Sequence, residues 1–127
     1  MPTLERAGAG GVIVIDGFSG HGFRIGESRF DNGLLIWPEG AAAWAPPAFD
    51  ALAEGDLAAL DAADPPLDLL LVGTGAMLRR VPAMLTSTLE GRGLGVEAMD
   101  SRAAARTYNL LAGEGRRVGA ALYPLNA

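Results

Sequence analysis

Leu69-Leu70-Leu71-Val72-Gly73-Thr74-Gly75 is an apolar run closed by a glycine turn, and its reading decides the fold class. Five residues without polar alternation read as a strand covered on both faces. Beyond it, Pro82 suits the first turn of a helix that places Met84, Leu85 and Leu89 inward and ends at Gly91. A strand over 95–100 follows, then a helix over 101–114, then a last apolar run from Val118 to Leu122. Strand and helix alternating at this spacing predict an α/β domain with a largely parallel, two-sided sheet.

Upstream the chain is strand-like and punctuated by glycine. Val12-Ile13-Val14-Ile15-Asp16 is a short apolar run between Gly11 and Gly17. In Gly22-Phe23-Arg24-Ile25-Gly26 the alternation puts Phe23 and Ile25 on one face and Arg24 on the other. Gly26-Glu27 and Asp31-Asn32-Gly33 are turn signals on either side of Ser28-Arg29-Phe30. Leu34-Leu35-Ile36-Trp37 then enters the core and stops at Pro38, and 42–45 forms a further strand around Trp44. These elements read as antiparallel hairpins feeding the larger sheet, with Trp37 buried. Between 49 and 63 the period changes: Ala53, Leu57 and Leu60 recur at helical spacing, and Asp56 is placed to cap a short helix.

Composition narrows the chemistry. The 127 residues read as a single domain over 1–127, half of them hydrophobic, enough to form a core without metal or disulfide. Cysteine is absent, which removes disulfides, thiol catalysis and cysteine-ligated metals. The net charge is −5 and all ten basic residues are arginine, a poor footprint for nucleic acid. No stretch is apolar enough to span a membrane, and the first residues lack a signal core, so the expectation is a cytoplasmic protein that does not insert into membranes.

Three features carry candidate chemistry. Gly73, Thr74 and Gly75 follow a buried strand, and Asp100 ends the next one, about where a dinucleotide fold holds its ribose-binding acid. These four are the candidate ligand-binding residues. The third glycine of that fingerprint is missing, however, and a tight strand-to-helix turn is the plainer use of the first two. His21, the single histidine, lies between glycines and has no cysteine co-ligand; a solvated turn residue is its plain reading, and neither a metal site nor a Ser19–His21–Asp16 triad is expected. On the 101–114 helix, Arg102, Arg106 and Asn109 share a stripe, and Arg116 and Arg117 follow its end. These five form the candidate interaction surface, either as a bidentate arginine patch for an acidic group or as ordinary helix-end solvation. No catalytic set and no cofactor are expected.

The ordered segments Ile15-Asp16-Gly17-Phe18, Gly22 to Gly26, Leu34 to Pro38, Leu71 to Gly75, Gly95 to Asp100 and Arg106-Thr107-Tyr108-Asn109-Leu110-Leu111 resemble one family. It is the Mth938-like family of unknown function that includes mitochondrial NADH dehydrogenase (complex I) assembly factor 3 and its bacterial and archaeal relatives. The likeness runs roughly from Ile13 to Leu122. It implies a compact three-layer α/β domain, a central mixed sheet flanked by helices with an extra N-terminal β-hairpin element. It also implies a protein that works with partners rather than by known catalysis, and it carries over no catalytic residue. Many relatives have a cysteine in the helix before Arg-Thr-Tyr-Asn where this chain has Ala103-Ala104-Ala105, so a thiol role does not transfer. The absence of a presequence points to a bacterial protein. The leading reading is therefore a non-enzymatic interaction or assembly protein, with respiratory or membrane complexes as its setting. Its rivals are a small-molecule or anion site, or an enzyme, beside Gly73-Thr74-Gly75 and Asp100, and a structural homo-oligomer.

Overall fold

The computed structural model describes residues 4–6 and 11–127. Among these residues nine strands and two α-helices follow in chain order: β1 (Leu4–Arg6), β2 (Gly17–Ser19), β3 (Gly22–Ile25), β4 (Ser28–Phe30), β5 (Gly33–Trp37), β6 (Gly40–Trp44), β7 (Leu69–Gly73), α1 (Ala83–Gly91), β8 (Gly95–Met99), α2 (Ser101–Gly113) and β9 (Val118–Leu122). Two 3-10 segments, Phe49–Ala51 and Glu54–Ala62, lie between β6 and β7. The large sheet has the order β1-β6-β5-β9-β7-β8. β7 is parallel to both β8 and β9, while β5 runs antiparallel to β6 and β9. The sheet is therefore mixed, with its parallel part built from the late β-α-β-α-β segment.

Strand alternation divides the core into two layers. On one face Leu34 and Ile36 of β5, Leu71 of β7 and Ala120 and Leu122 of β9 meet Ala104, Ala105, Tyr108 and Ala112 of α2. On the other, Leu35, Trp37, Leu70, Val72 and Ala121 meet Leu85 and Leu89 of α1 and Leu57 and Leu60 of the longer 3-10 segment. A leucine fully buried in this way contributes about 2 kcal/mol from its area alone. Leu70, Leu71 and Val72 are completely buried, as an unbroken apolar run in a central strand requires.

The early strands differ from the sequence expectation. β2, β3 and β4 do not feed the large sheet; they form their own three-stranded antiparallel sheet. Phe23 and Phe30 face each other across it and join the α2-side core. The apolar run at 12–16 is not a ladder strand either. Ile15 donates its N–H to Asn109 Oδ1 (2.8 Å) and accepts from Asn109 Nδ2 (2.7 Å), while Tyr108 Oη donates to the Ile13 carbonyl (2.8 Å). A helix side chain thus replaces the neighbouring strand and pairs both backbone groups of Ile15.

Two helical expectations are also corrected. Met84 points to solvent, 82% exposed, because Val81, Leu85 and Leu89 already fill the inward stripe at a spacing of four. The 54–62 segment is 3-10 rather than α-helical, and the three-residue spacing of Leu57, Leu60 and Ala63 suits three residues per turn. Asp56 does not cap from the first position; its carboxylate reaches back to the Ala53 N–H (2.9 Å). Trp44 is buried like Trp37, with its indole N–H on the Asp56 carbonyl (3.0 Å).

Candidate functional site

The Gly-Thr-Gly segment opens a long connection to α1, not a tight strand-to-helix turn, since the helix begins only at Ala83. The amide N–H groups of Thr74, Gly75 and Ala76 are engaged within the fold. Thr74 N–H donates to the Met99 carbonyl (2.8 Å), Gly75 N–H to Ser101 Oγ (2.8 Å) and Ala76 N–H to the Ala127 oxygen (3.1 Å). Ser101 Oγ–H in turn donates to the Tyr123 carbonyl (2.7 Å). Close approach explains both glycines. A Cβ at Gly73 would lie 2.6 Å from Leu122 Cδ2 and 2.9 Å from Ser101 Oγ; one at Gly75, where φ is +99°, would lie 2.4 Å from the Ala127 oxygen. Asp100 serves as the N-cap of α2, accepting from Ala103 N–H at 3.2 Å. Gly73, Thr74, Gly75 and Asp100 are thus brought together, but as a knot joining β7, β8, α2 and the segment after β9.

The five residues of the candidate interaction surface are not brought to one place. Arg102 lies in the first turn of α2 and Arg106 at its middle, whereas Arg116 and Arg117 follow its end, so that roughly 16 Å of helix at 1.5 Å per residue separates Arg102 from that end. The Arg102 guanidinium sits over the Phe18 ring at 4.8 Å and so ties α2 to the small sheet. The Asn109 amide is occupied by Ile15. Arg117 grips Glu39 bidentately at 2.6 and 3.0 Å and donates to the Pro65 carbonyl, joining the β5–β6 turn to the loop before β7. The Arg117 hydrogen bonds hold the Glu39 carboxyl below the ordinary carboxylate value, with partial desolvation opposing them. The side chains of Arg106 and Arg116 are exposed and carry no hydrogen bond, ion pair or ring contact among the described residues. His21 is exposed at the β2–β3 turn, and its carbonyl accepts from Leu125 N–H. Among the described residues no cluster has the makings of a metal site.

The sequence reading passes over a different surface, at the outer edge of the large sheet. β8 is the last strand on its side, paired only with β7 among the described residues. Beside it the 74–82 connection and α1 form an open groove of about 570 Å³ lined by Leu78, Arg79, Arg80, Val81, Thr86, Val96 and Ala98. An adjoining groove of about 370 Å³ continues past Arg79, Arg80 and Val81 to Phe49 and Asp50. Met77, Leu78 and Met84 are 73%, 67% and 82% exposed on the same connection and helix start, an unusual concentration of bare apolar side chains. Arg79 is fixed with its guanidinium over the Phe49 ring at 4.7 Å, and Arg80 is exposed. The Met77-Leu78-Arg79-Arg80 string itself is the available sequence signal: two large apolar residues before two arginines, outside any inward-facing stripe.

An uncharacterised protein of Rhodobacter capsulatus is 45% identical over 121 residues, 95% of this chain and 92% of its own length. Human NADH dehydrogenase [ubiquinone] 1 alpha subcomplex assembly factor 3 is 28% identical over 122 residues, 96% of this chain but 66% of the human protein. The solution structure of a Mth938-like domain from Bordetella pertussis superposes with a TM-score of 0.75 at 29% identity, covering 90% of this chain and 87% of that one. The model of a family described as protein of unknown function (DUF498/DUF598) matches residues 15–123, and the chain belongs to that family.

Proposed function

We propose that this protein is a non-catalytic interaction domain that serves the assembly of a multiprotein complex, respiratory or membrane-associated, and that its docking surface is the β8 edge with the neighbouring 74–84 segment. The observation that carries the reading is the exposure of Met77, Leu78 and Met84, on the connection and helix that flank an edge strand. Exposed methionines suit such a role because their flexible, polarisable side chains adapt to a partner. The name of the human relative supports assembly work, and the 45% identity to an equally short bacterial protein supports a function held within this one domain. Arg102 and Arg106 remain a proposed second contact, for an acidic group on the partner. Of the two, Arg106 is the clean probe, because Arg102 also braces Phe18.

The test is chemical crosslinking and affinity recovery of the tagged full chain from its native host, comparing the parent with Met77→Asp/Met84→Asp. Both side chains are exposed, so the melting temperature should stay within about 2 °C of the parent, the size expected of surface substitutions. The proposal predicts loss of the same co-purifying proteins in every replicate. Undiminished recovery with the double variant would overturn it.

A further inference from the structure

The backbone of β8 has one side turned toward β7 and one turned away from the sheet. Gly95 N–H donates to the Asp68 carbonyl (2.9 Å), and the Met99 carbonyl accepts from Thr74 N–H (2.8 Å). In a parallel ladder the residues facing a neighbour alternate, so Gly95, Glu97 and Met99 engage β7. The N–H and C=O groups of Val96 and Ala98 therefore project outward, where no described strand meets them. Natural sheets guard such an edge with charged side chains, proline, a bulge or a covering element. β8 reads Gly-Val-Glu-Ala-Met: it has no proline, and its one charge, Glu97, alternates away from the side chains of Val96 and Ala98.

The side chains of Val96 and Ala98 pack on the α1 side of the sheet and floor the groove walled by Leu78, Arg79, Arg80 and Val81. Glu97, by the same alternation, faces the other way and is exposed. A chain laid along β8 would thus put alternate side chains into a trough lined by Leu78, Val81, Val96 and Ala98 together with Arg79 and Arg80, on a protein whose net charge is −5.

From this geometry we infer that β8 accepts an extended segment of another protein as an added strand, its apolar side chains seated over Val81, Val96 and Ala98 and a carboxylate held at Arg80. This rests on the interaction reading above and names the mode of capture and the chemistry of the partner. Main-chain bonds to Val96 and Ala98 supply affinity, and the trough with its arginines supplies selectivity. A second copy of this chain fits poorly. The antiparallel register that pairs the outward groups of Val96 with those of Ala98 sets Glu97 against Glu97 about 5 Å apart. A register centred on Val96 would pair Ala98 with Leu94, whose N–H already donates to the Leu89 carbonyl.

The test uses the full chain and a fluorescein-labelled octapeptide of alternating valine and threonine with an aspartate at each end. Fluorescence anisotropy should show saturable binding, and amide exchange should slow at Val96 and Ala98 on adding peptide. Arg80→Glu should weaken binding about tenfold or more, a loss of about 1.4 kcal/mol, and so should replacing the peptide's aspartates with lysine. Val96→Pro removes an outward N–H while leaving the β7 ladder whole, and it should abolish binding with the fold retained by circular dichroism. Binding unchanged by both variants, or no binding of any peptide at millimolar concentration, overturns strand addition. Protection of Val96 and Ala98 in the peptide-free chain, rising with protein concentration alongside a dimer in sedimentation, overturns it in favour of self-pairing. If the peptide fails while Met77→Asp/Met84→Asp still costs partner recovery, the interaction reading stands and only the strand-addition mode falls.

Discussion

Asn109→Ala separates a structural from an interaction role for the arginine-bearing helix. The Asn109 amide makes two hydrogen bonds to the backbone of Ile15, at 2.8 and 2.7 Å, across 94 residues of sequence. Alanine removes both and leaves an N–H and a C=O of a buried residue without partners. Each bond is worth about 1 kcal/mol net, and stranding the groups raises the total to roughly 2–3 kcal/mol. For a domain of this size that lowers the melting temperature by roughly 10 °C. Asn109→Asp keeps an acceptor for Ile15 N–H but sets a carboxylate beside the Ile15 carbonyl, so it should destabilise at least as much. Tyr108→Phe, which strands only the Ile13 carbonyl, should cost about 1 kcal/mol. Urea unfolding followed by tryptophan fluorescence measures all three, with the m-value unchanged. An Asn109→Ala variant within about 0.5 kcal/mol of the parent would refute the claim that a side chain takes the place of a strand at Ile15.

Three further outcomes follow from the same contacts. Glu39 is held below its ordinary value of 4.5 chiefly by hydrogen bonds from Arg117, so its contribution is full above pH 4.5 and fades as pH falls through the lowered value; the stability gap between the parent and Arg117→Met should narrow on acidification, and a constant gap would contradict the pairing. Burial pushes the Tyr123 hydroxyl up to about 12 from 10.0, so stability should fall as pH climbs through 10 toward 12, and less so in Tyr123→Phe. Gly75→Ala meets the Ala127 oxygen at 2.4 Å with φ at +99°, whereas Gly20→Ala at φ +60° meets nothing within 4 Å; thermal melts should show the first clearly more damaging, and equal losses would count against the knot at the strand ends.

The late part of the fold is legible in the sequence because local pattern and burial agree there. Leu69–Gly73, Val118–Leu122 and the Asp100-capped helix are placed by apolar runs, turns and a cap that act over a few residues. The early part misleads for a physical reason: the 12–16 run has strand composition, but both backbone groups of Ile15 pair with an asparagine far along the chain, which no local period encodes. The glycines of 73–75 mark a special backbone in either reading; that their neighbours are Ser101, Leu122 and Ala127 rather than a phosphate depends on distant chain. The same holds for Arg117, whose partner Glu39 lies 78 residues away. Met77 and Leu78 escape a pattern search because exposed apolar residues in a loop belong to no period, and Met84 because it adjoins the true inward stripe.

Amide exchange across β8, in the free protein and in the complex recovered from its native host, tests the docking edge most directly. The account predicts slow exchange at Glu97 and Met99 throughout, fast exchange at Val96 and Ala98 in the free chain, and strong protection of those two in the complex. Val96 and Ala98 exchanging as fast in the complex as in the free chain would contradict it.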